Sequence, residues 1–478
     1  MKKYDVIVIG GGAAGLGSSG VANALGLKTL MIEKDNNNFG GDCTNYGCVP
    51  SKALIHLAHQ FHQAKLASKF GLNVNGKADM GAILDHVHSL QDHIKGTEDA
   101  EALRSHGIDV VIGEASFSSK ETIQVNGEAY TAKRIFLCTG SKPRHLTIEG
   151  MDTVKVYTNE NIFFDCRSLP KDLIVIGGGP IGCELGQVFS RFGSNVTIVN
   201  RGSRLLNKEP EKVSNILEEQ FIKEGLGIIN NAEVKSFANG NAIVFSKDGT
   251  KTELACDTTL IAAGRIVNTK GLSLEKGGVA LTERGKIKVD TYLQTTNKRV
   301  YAIGDAAGTY MFSHGAEKMV RQVWRNILVP VFKKKNTMSD LSWVTFTDPQ
   351  VAHFGLTEKQ IWDQGLSHYR QDQNFEHDDR AILQDYTYGH LSIWFDGNKN
   401  IGKKKILSGS MIAPQAGELM QELELAKHAK IPAKTIESRV YPYPVATRIN
   451  QKALRGIMAS TRTGWKLKLA KKIFRLLY

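Results

Sequence analysis

Asp5-Val6-Ile7-Val8-Ile9-Gly10-Gly11-Gly12-Ala13-Ala14-Gly15 reads as a short buried strand that turns sharply into a helix. Gly10, Gly12 and Gly15 fall at the spacing Gly-x-Gly-x-x-Gly, and each has a separate task. Gly10 permits the tight turn, Gly12 lets backbone amides approach a pyrophosphate, and Gly15 allows the helix to pack closely on the strand. A second apolar run, Thr29-Leu30-Met31-Ile32, leads to Glu33, where a carboxylate can take a ribose hydroxyl. Strand, glycines, helix, strand and acid in that order predict a dinucleotide-binding α/β unit.

The design recurs. Leu173-Ile174-Val175-Ile176 runs into Gly177, Gly179 and Gly182, then Val196-Thr197-Ile198-Val199 and Asn200. Gly10 and Glu33 are as far apart in sequence as Gly177 and Asn200, so the two units match in length as well as pattern. Two bound dinucleotides are implied. Asn200 stands where the first unit has an acid, with Arg201 and Arg204 beside it. A carboxylate would repel a 2′-phosphate, whereas a neutral residue flanked by guanidinium groups can hold one. NADPH is therefore expected at the second unit, with NADH as the alternative.

Between the two units lies Gly40-Gly41-Asp42-Cys43-Thr44-Asn45-Tyr46-Gly47-Cys48-Val49-Pro50-Ser51-Lys52. The Cys43 to Cys48 spacing can form one turn of helix, bringing the two sulfurs close enough to bond, while Gly40, Gly41 and Gly47 relieve the backbone. The alternative is a zinc half-site. A structural zinc wants about four ligands in paired short spacings, and Cys138, Cys166, Cys183 and Cys256 supply no second close pair. A redox dithiol beside a nucleotide fold is favoured, and no resident metal is expected. Cys138 and Cys183, beside nucleotide-binding glycines, read as inert packing residues.

The chain of 478 residues is long enough for about three domains of ordinary size. Six cysteines are too few for a disulfide scaffold, which suits a reducing compartment and predicts a cytoplasmic protein. Lys2 and Lys3 precede an apolar run too short for a secretory signal, and nowhere do about eighteen apolar residues run together, so a soluble protein is expected. A net charge of +13 is consistent with anionic cofactors or an anionic surface, and no nucleic-acid motif accompanies it.

With these motifs the chain resembles the pyridine nucleotide-disulfide oxidoreductases, the family of glutathione reductase, dihydrolipoamide dehydrogenase and mercuric reductase. Cys138-Thr139-Gly140-Ser141-Lys142-Pro143, Ala263-Gly264-Arg265, Tyr301-Ala302-Ile303-Gly304-Asp305 and Phe346-Thr347-Asp348-Pro349 extend the resemblance over nearly the whole length. It implies an α/β protein with two Rossmann-like nucleotide-binding domains, for FAD and NAD(P), and a C-terminal α+β dimerisation domain. The expected boundaries are 1–150 with 271–338 for FAD, 151–270 for NAD(P) and 339–460 for dimerisation, followed by a basic tail at 461–478. The protein would be a homodimer. Beside the fingerprint residues Gly10, Gly12, Gly15, Glu33, Gly177, Gly179, Gly182, Asn200 and Arg201, the resemblance assigns Lys52, Ala115, Gly140, Ser141, Gly264, Asp305 and His314 to cofactor binding. Asp305 would hold the ribityl chain of FAD, and Met311-Phe312-Ser313-His314 would contact FAD and the dithiol. Lys52 and Glu184 match a pair near flavin and nicotinamide, the lysine stabilising a reduced anionic ring and the carboxylate orienting it.

The implied mechanism carries a hydride from NADPH to FAD and then electrons to the Cys43–Cys48 disulfide. By family position Cys48 faces the flavin, as a thiolate in the reduced state, and Cys43 exchanges with substrate. Disulfide-reducing relatives carry His-Pro-Thr near the C-terminus, then a Glu, and this dyad protonates the leaving thiol. Here Tyr443 takes the place of the histidine and Arg448 that of the glutamate. A tyrosine titrates near ~10 against ~6.5 for histidine and cycles protons poorly at neutral pH. Tyr443 resembles the mercuric reductase branch instead, although that branch passes Hg(II) through a C-terminal cysteine pair and this sequence has no cysteine after Cys256. A plain dimer-interface role for Tyr443 is the other reading. The acceptor is left open between a metal ion or thiol-reactive oxidant, a low-molecular-weight or protein disulfide, and a membrane acceptor. A membrane-tethered redox sensor that turns over slowly is the rival from another class.

His56, His59, His62, His86, His88 and His93 cluster after the dithiol and read as solvated helix faces rather than a metal-loading surface. The acid-free tail from Trp465 to Tyr478 places Trp465, Leu469, Ile473, Leu476 and Leu477 on one face of a helix and Lys468, Lys471, Lys472 and Arg475 on the other. Such a helix either lies peripherally on an anionic membrane, here the inner face, or packs on its own dimer.

Overall fold

In the computed structural model, which describes residues 1–337, 339, 341–397, 404–459 and 464–477, the run Val6–Ile9 is the middle of a parallel sheet. The strand Lys2–Ile9 pairs with Thr29–Glu33 on one side and Glu128–Leu137 on the other, Val6 lying opposite Thr29 and Arg134. Neighbours on both edges and cover on both faces leave Val6, Ile7, Val8 and Ile9 buried, which is why that stretch carries no polar alternation. Asp109–Ile112 extends the sheet on one side. On the other, the strands Ser116–Ser119 and Thr122–Val125 close it in antiparallel fashion. Val300–Ala302 returns from far along the chain to pair with Ile135–Leu137. The parallel step from Lys2–Ile9 to Thr29–Glu33 is made by the helix Ala13–Ala24, as parallel strands require a crossover.

A second parallel sheet repeats this plan. Asp172–Ile176 sits between Thr258–Ile261 and Asn195–Asn200, with Lys155–Tyr157 beyond, and the helix Pro180–Phe192 makes the crossover. The repetition extends to backbone detail. Gly10 has φ +106 and Gly177 has φ +122, and a Cβ on either would strike a carbonyl oxygen at the end of the adjoining strand, Cys138 O at 2.4 Å or Ala262 O at 2.5 Å. Only glycine meets both demands.

By internal contacts the chain divides into two compact units, Met1–Gly177 with Val188–Val199 and Ala232–Asn336, and Gly178–Gln187 with Asn200–Asn231 and Thr337–Tyr478. In the second unit, among the described residues, Ser342–Thr345, Gln350–Gly355, Ile406–Ala413, His390–Asp396 and His368–Asn374 form an antiparallel sheet in that order. Phe354, Phe375, Ile393, Phe395 and Met411 pack with Leu423, Ile436 and Leu454 to make its core. Glu209 is buried in this unit, accepting from Trp343 Nε1 at 2.6 Å and Ser410 Oγ at 3.0 Å, with His353 Nδ1 at 3.5 Å. Burial pushes its pKa up, and these donors outweigh burial and hold the carboxyl below its ordinary value. The architecture is thus α/β, two Rossmann-like sheets and an α+β sheet. Among the described residues no helix is long and apolar enough to cross a membrane.

Candidate functional site

The dithiol is built by docking one glycine-rich segment on another. Gly40 N donates to Gly11 O at 3.0 Å, and Gly12 and Gly40 form an isolated parallel bridge. A Cβ on Gly41, whose φ is +63, would lie 2.7 Å from the Cα of Gly12. The stretch before Cys43 therefore lies directly on the fingerprint loop, and glycine on both sides is what allows the approach. From there the helix Gly41–Asn45 carries Cys43, and a longer helix, Cys48–Ala67, opens at Cys48.

The single helical turn expected between the cysteines is not what forms. The first helix stops at Asn45, Tyr46 leaves helical geometry, and a Cβ on Gly47 would meet Asp42 O at 2.8 Å because the chain folds back there. Buried Gln91, from the helix Met80–Lys95, donates to Thr44 O at 2.8 Å and Asn45 O at 3.0 Å. These bonds satisfy carbonyls that an unbroken helix would have used. The break puts Cys48 at a helix N-terminus, whose partial positive charge favours an anion.

Cys43 and Cys48 are both thiols, the first half-buried and the second exposed. The Cys43 thiol hydrogen-bonds to the Cys48 sulfur, Ser313 Oγ lies 3.7 Å from Cys48 Sγ, and Lys52 stands one helical turn further on. The bond from Cys43 is the largest of these influences; with Ser313 and the Lys52 charge it overcomes the partial desolvation of the sulfur inside an otherwise exposed residue and the Asp42 charge, and lowers the Cys48 pKa to about 6. Cys43, as the donor and with its own burial added, is pushed up and keeps its proton. Cys138, wholly enclosed, is pushed up to about 12 by burial, and burial raises Cys183 as well. The pair at 43 and 48 is set apart from the other cysteines by its surroundings.

Around the dithiol, Arg265 is a hub that the sequence motif quoted but did not assign. Its Nη2 donates to Asp42 Oδ1 at 2.8 Å and Ser141 O at 3.0 Å, and its Nε donates to Ser141 Oγ at 2.8 Å. Ser141 Oγ in turn donates to Asp305 Oδ2 at 2.5 Å. Asn159 donates to Asp42 Oδ1 at 3.2 Å and Tyr46 O at 3.0 Å. Burial pushes the Asp305 carboxyl above its ordinary value against Ser141 and Arg265. The Ala-Gly-Arg motif was the signal, but its reach to Asp42 crosses more than two hundred residues and has no local pattern.

The fingerprint residues fit a dinucleotide. The helix Ala13–Ala24 starts at Gly12 with no side-chain cap, so its first N–H groups are offered to an anion. Glu33, buried, accepts from Gly11 N at 2.5 Å and Lys34 N at 2.8 Å, which fixes a carboxylate at the loop with lone pairs to spare. Gly140 and Gly264, with φ +68 and +102, have open space where a Cβ would be, and so does Gly179. Ala115 is part of the core, while His314 is exposed and stacks on Phe312 with centroids 5.3 Å apart.

Of the residues in the second unit, buried Glu184 accepts from Phe346 N at 2.8 Å. Asn200 donates to Gly202 O, Arg204 O and Asn230 Oδ1, so its amide shapes its own loop. Arg204 donates to Asn207 O and Glu209 O, and Arg201 beside it is exposed. Tyr443 is 69% exposed, and the Arg448 guanidinium lies 5.1 Å from its ring centroid. Tyr443 and Arg448 thus engage each other. His88 bonds Phe163 O at 2.8 Å and His56 bonds Gln60 at 3.0 Å. Among the described residues no three His, Cys, Asp or Glu side chains gather as a metal site.

Residues 4–319 match the family model described as pyridine nucleotide-disulphide oxidoreductase, and residues 341–453 match the model of that family's dimerisation domain. A dihydrolipoyl dehydrogenase of Mycoplasma pneumoniae is 31% identical, over 92% of this chain and 95% of the relative. A mercuric reductase of Staphylococcus aureus is 30% identical, over 92% of this chain and 80% of the relative. Among solved structures, the Cu(II) complex of the HOCl-induced flavoprotein disulfide reductase RclA from Escherichia coli superposes with a TM-score of 0.82 at 26% identity, covering 95% of this chain and 99% of that one.

Proposed function

The chain belongs to the pyridine nucleotide-disulphide oxidoreductases, and on that footing we propose that its Cys43–Cys48 dithiol delivers electrons from NADPH to a thiophilic metal ion or thiol-reactive oxidant. As a member it is an NAD(P)H-dependent flavoprotein with a dimerisation domain; the acceptor, the choice of NADPH and the homodimer are the proposal. The observation that carries the acceptor is the Arg448 guanidinium over the Tyr443 ring. A disulfide acceptor needs a proton for its leaving thiolate, and this pair lacks the imidazole and carboxylate with which the disulfide-reducing relatives supply it. A metal ion needs none.

FAD, when held by the fingerprint at Gly10, Gly12 and Gly15 with Glu33, Ser141 and Asp305, supplies the hydride relay between nicotinamide and disulfide. The protein's own residues do the rest. Accepting the equivalent of one hydride turns the disulfide into a Cys48 thiolate and a Cys43 thiol, the state that Cys43, Ser313 and Lys52 favour. Discharge to two Cu(II) ions then forms the S–S bond, releases the Cys43 proton and leaves two Cu(I). Cu(II) is the first probe because the likeness to RclA covers nearly the whole chain. Lys52 and Glu184 keep the roles implied by the resemblance, a cation near the flavin and a carboxylate near the nicotinamide, and Arg201 meets the 2′-phosphate.

The 31% identity to a dihydrolipoyl dehydrogenase favours a second reading, lipoamide chemistry. Steady-state oxidation of NADPH and NADH with Cu(II), Hg(II), lipoamide and glutathione disulfide separates the two. NADPH with a metal ion is expected to be the fastest combination, and Cys43→Ser to abolish it. Lipoamide turned over at rates typical of good enzymes would overturn the assignment, and slow turnover of every acceptor would point to a sensor.

A further inference from the structure

The last described element is the helix Gly464–Leu477, and its exposure is unusual for so apolar a segment. Every described side chain from Lys468 to Leu477 is exposed, Leu469 and Ile473 at 48%, Leu476 at 76% and Leu477 at 70%. The side chain of Trp465, and Tyr478, lie outside the described residues. Lys468, Lys471, Lys472 and Arg475 converge with Leu476 on one open concavity of about 400 Å³. No acidic residue lies anywhere in the helix.

From this we propose that the helix Gly464–Leu477 docks on an anionic lipid surface, lying in the interface with Lys468, Lys471, Lys472 and Arg475 around lipid phosphates and Leu469, Ile473 and Leu477 in the acyl boundary. Leu476 sits on the border between the two sets. Charge decides the occupant. A second copy presents the same acid-free cationic helix on a chain of net charge +13, so helix against helix would be repelled, whereas an anionic bilayer attracts the charge and takes up the leucines together. The helix is too short and too charged to span, and an interfacial position is what its composition allows. Docking there would hold the dithiol enzyme beside acceptors that enter at the membrane.

The test is co-sedimentation of the full FAD-loaded chain with vesicles of phosphatidylcholine alone and of phosphatidylcholine mixed with phosphatidylglycerol. Binding is expected to the mixed vesicles only, to weaken with salt, and to fall about fivefold for each cation removed, as in Lys471→Gln and Lys472→Gln. A chain ending at residue 463 should not bind. Since a truncated chain can misfold, FAD content and NADPH oxidation check its integrity, and the exposed lysine variants test the same surface without it. Absence of vesicle binding by the full chain, equal binding to both vesicles, or binding unchanged in the double variant would overturn the proposal. Loss of the dimer on truncation, with no vesicle binding by the full chain, would assign the helix to contact between copies instead.

Discussion

At Cys48 a thiolate is stabilised by groups that come from three places in the sequence: Cys43 by hydrogen bond, Lys52 by charge one turn along the same helix, and Ser313 from a distant segment. The sequence placed Lys52 and Cys43 beside the site, and expected a thiolate at Cys48 from the flavin and backbone amides. The resemblance brought the stretch Met311–His314 to the dithiol, but that Ser313 within it and Cys43 are the groups bonding Cys48 does not follow from spacing. Ser313→Ala removes a donor to an anion while keeping the volume. The pH at which the Cys48 thiolate forms in the reduced protein should rise by roughly one pH unit, the weight of one hydrogen bond to a charged group. Absorbance of the thiolate against pH reads this directly, and no movement in Ser313→Ala would mean that Cys43 and Lys52 suffice. The sign is that of an acid whose pKa is depressed: the reactive thiolate is present above about pH 6 and is lost as pH falls through that value.

Among the elements, the two strand–glycine–helix units were legible because everything that specifies them is local: an apolar run, glycines at fixed offsets, and a following strand. The break between the cysteine helices was not, since it depends on Gln91 and on the fold-back of Gly47 against Asp42. The contact of Gly41 with Gly12 was equally hidden, although glycine at both positions was noted for other reasons. Gly41→Ala should lower stability by about 1–3 kcal/mol and loosen retained FAD, since the new Cβ presses on the fingerprint backbone. Gly26→Ala is the control: φ there is +68 with nothing within 4 Å of a Cβ. Thermal midpoints and FAD content after dialysis compare them. Equal behaviour of the two variants would mean that backbone strain alone, and not docking of the dithiol segment, explains the glycine at position 41.

Over the whole molecule, repeated nucleotide folds, one dithiol and a basic C-terminal helix were legible as separate statements, and the family joins the first two into one electron path. What the sequence left open was the end of that path, because Tyr443 and Arg448 departed from a pattern without saying what replaced it. The Arg448 guanidinium lies over the Tyr443 ring, which gives that departure a physical content. On this reading electrons rest on Cys43 and Cys48 between flavin and acceptor. Anaerobic titration of the oxidised FAD-loaded protein with NADPH, followed by its visible spectrum, measures this most directly. A long-wavelength band from the Cys48 thiolate against the flavin is expected at two electrons, fading below about pH 6 and discharged by Cu(II). Bleaching of the flavin at two electrons with no such band would contradict it and take Cys43 and Cys48 out of the circuit.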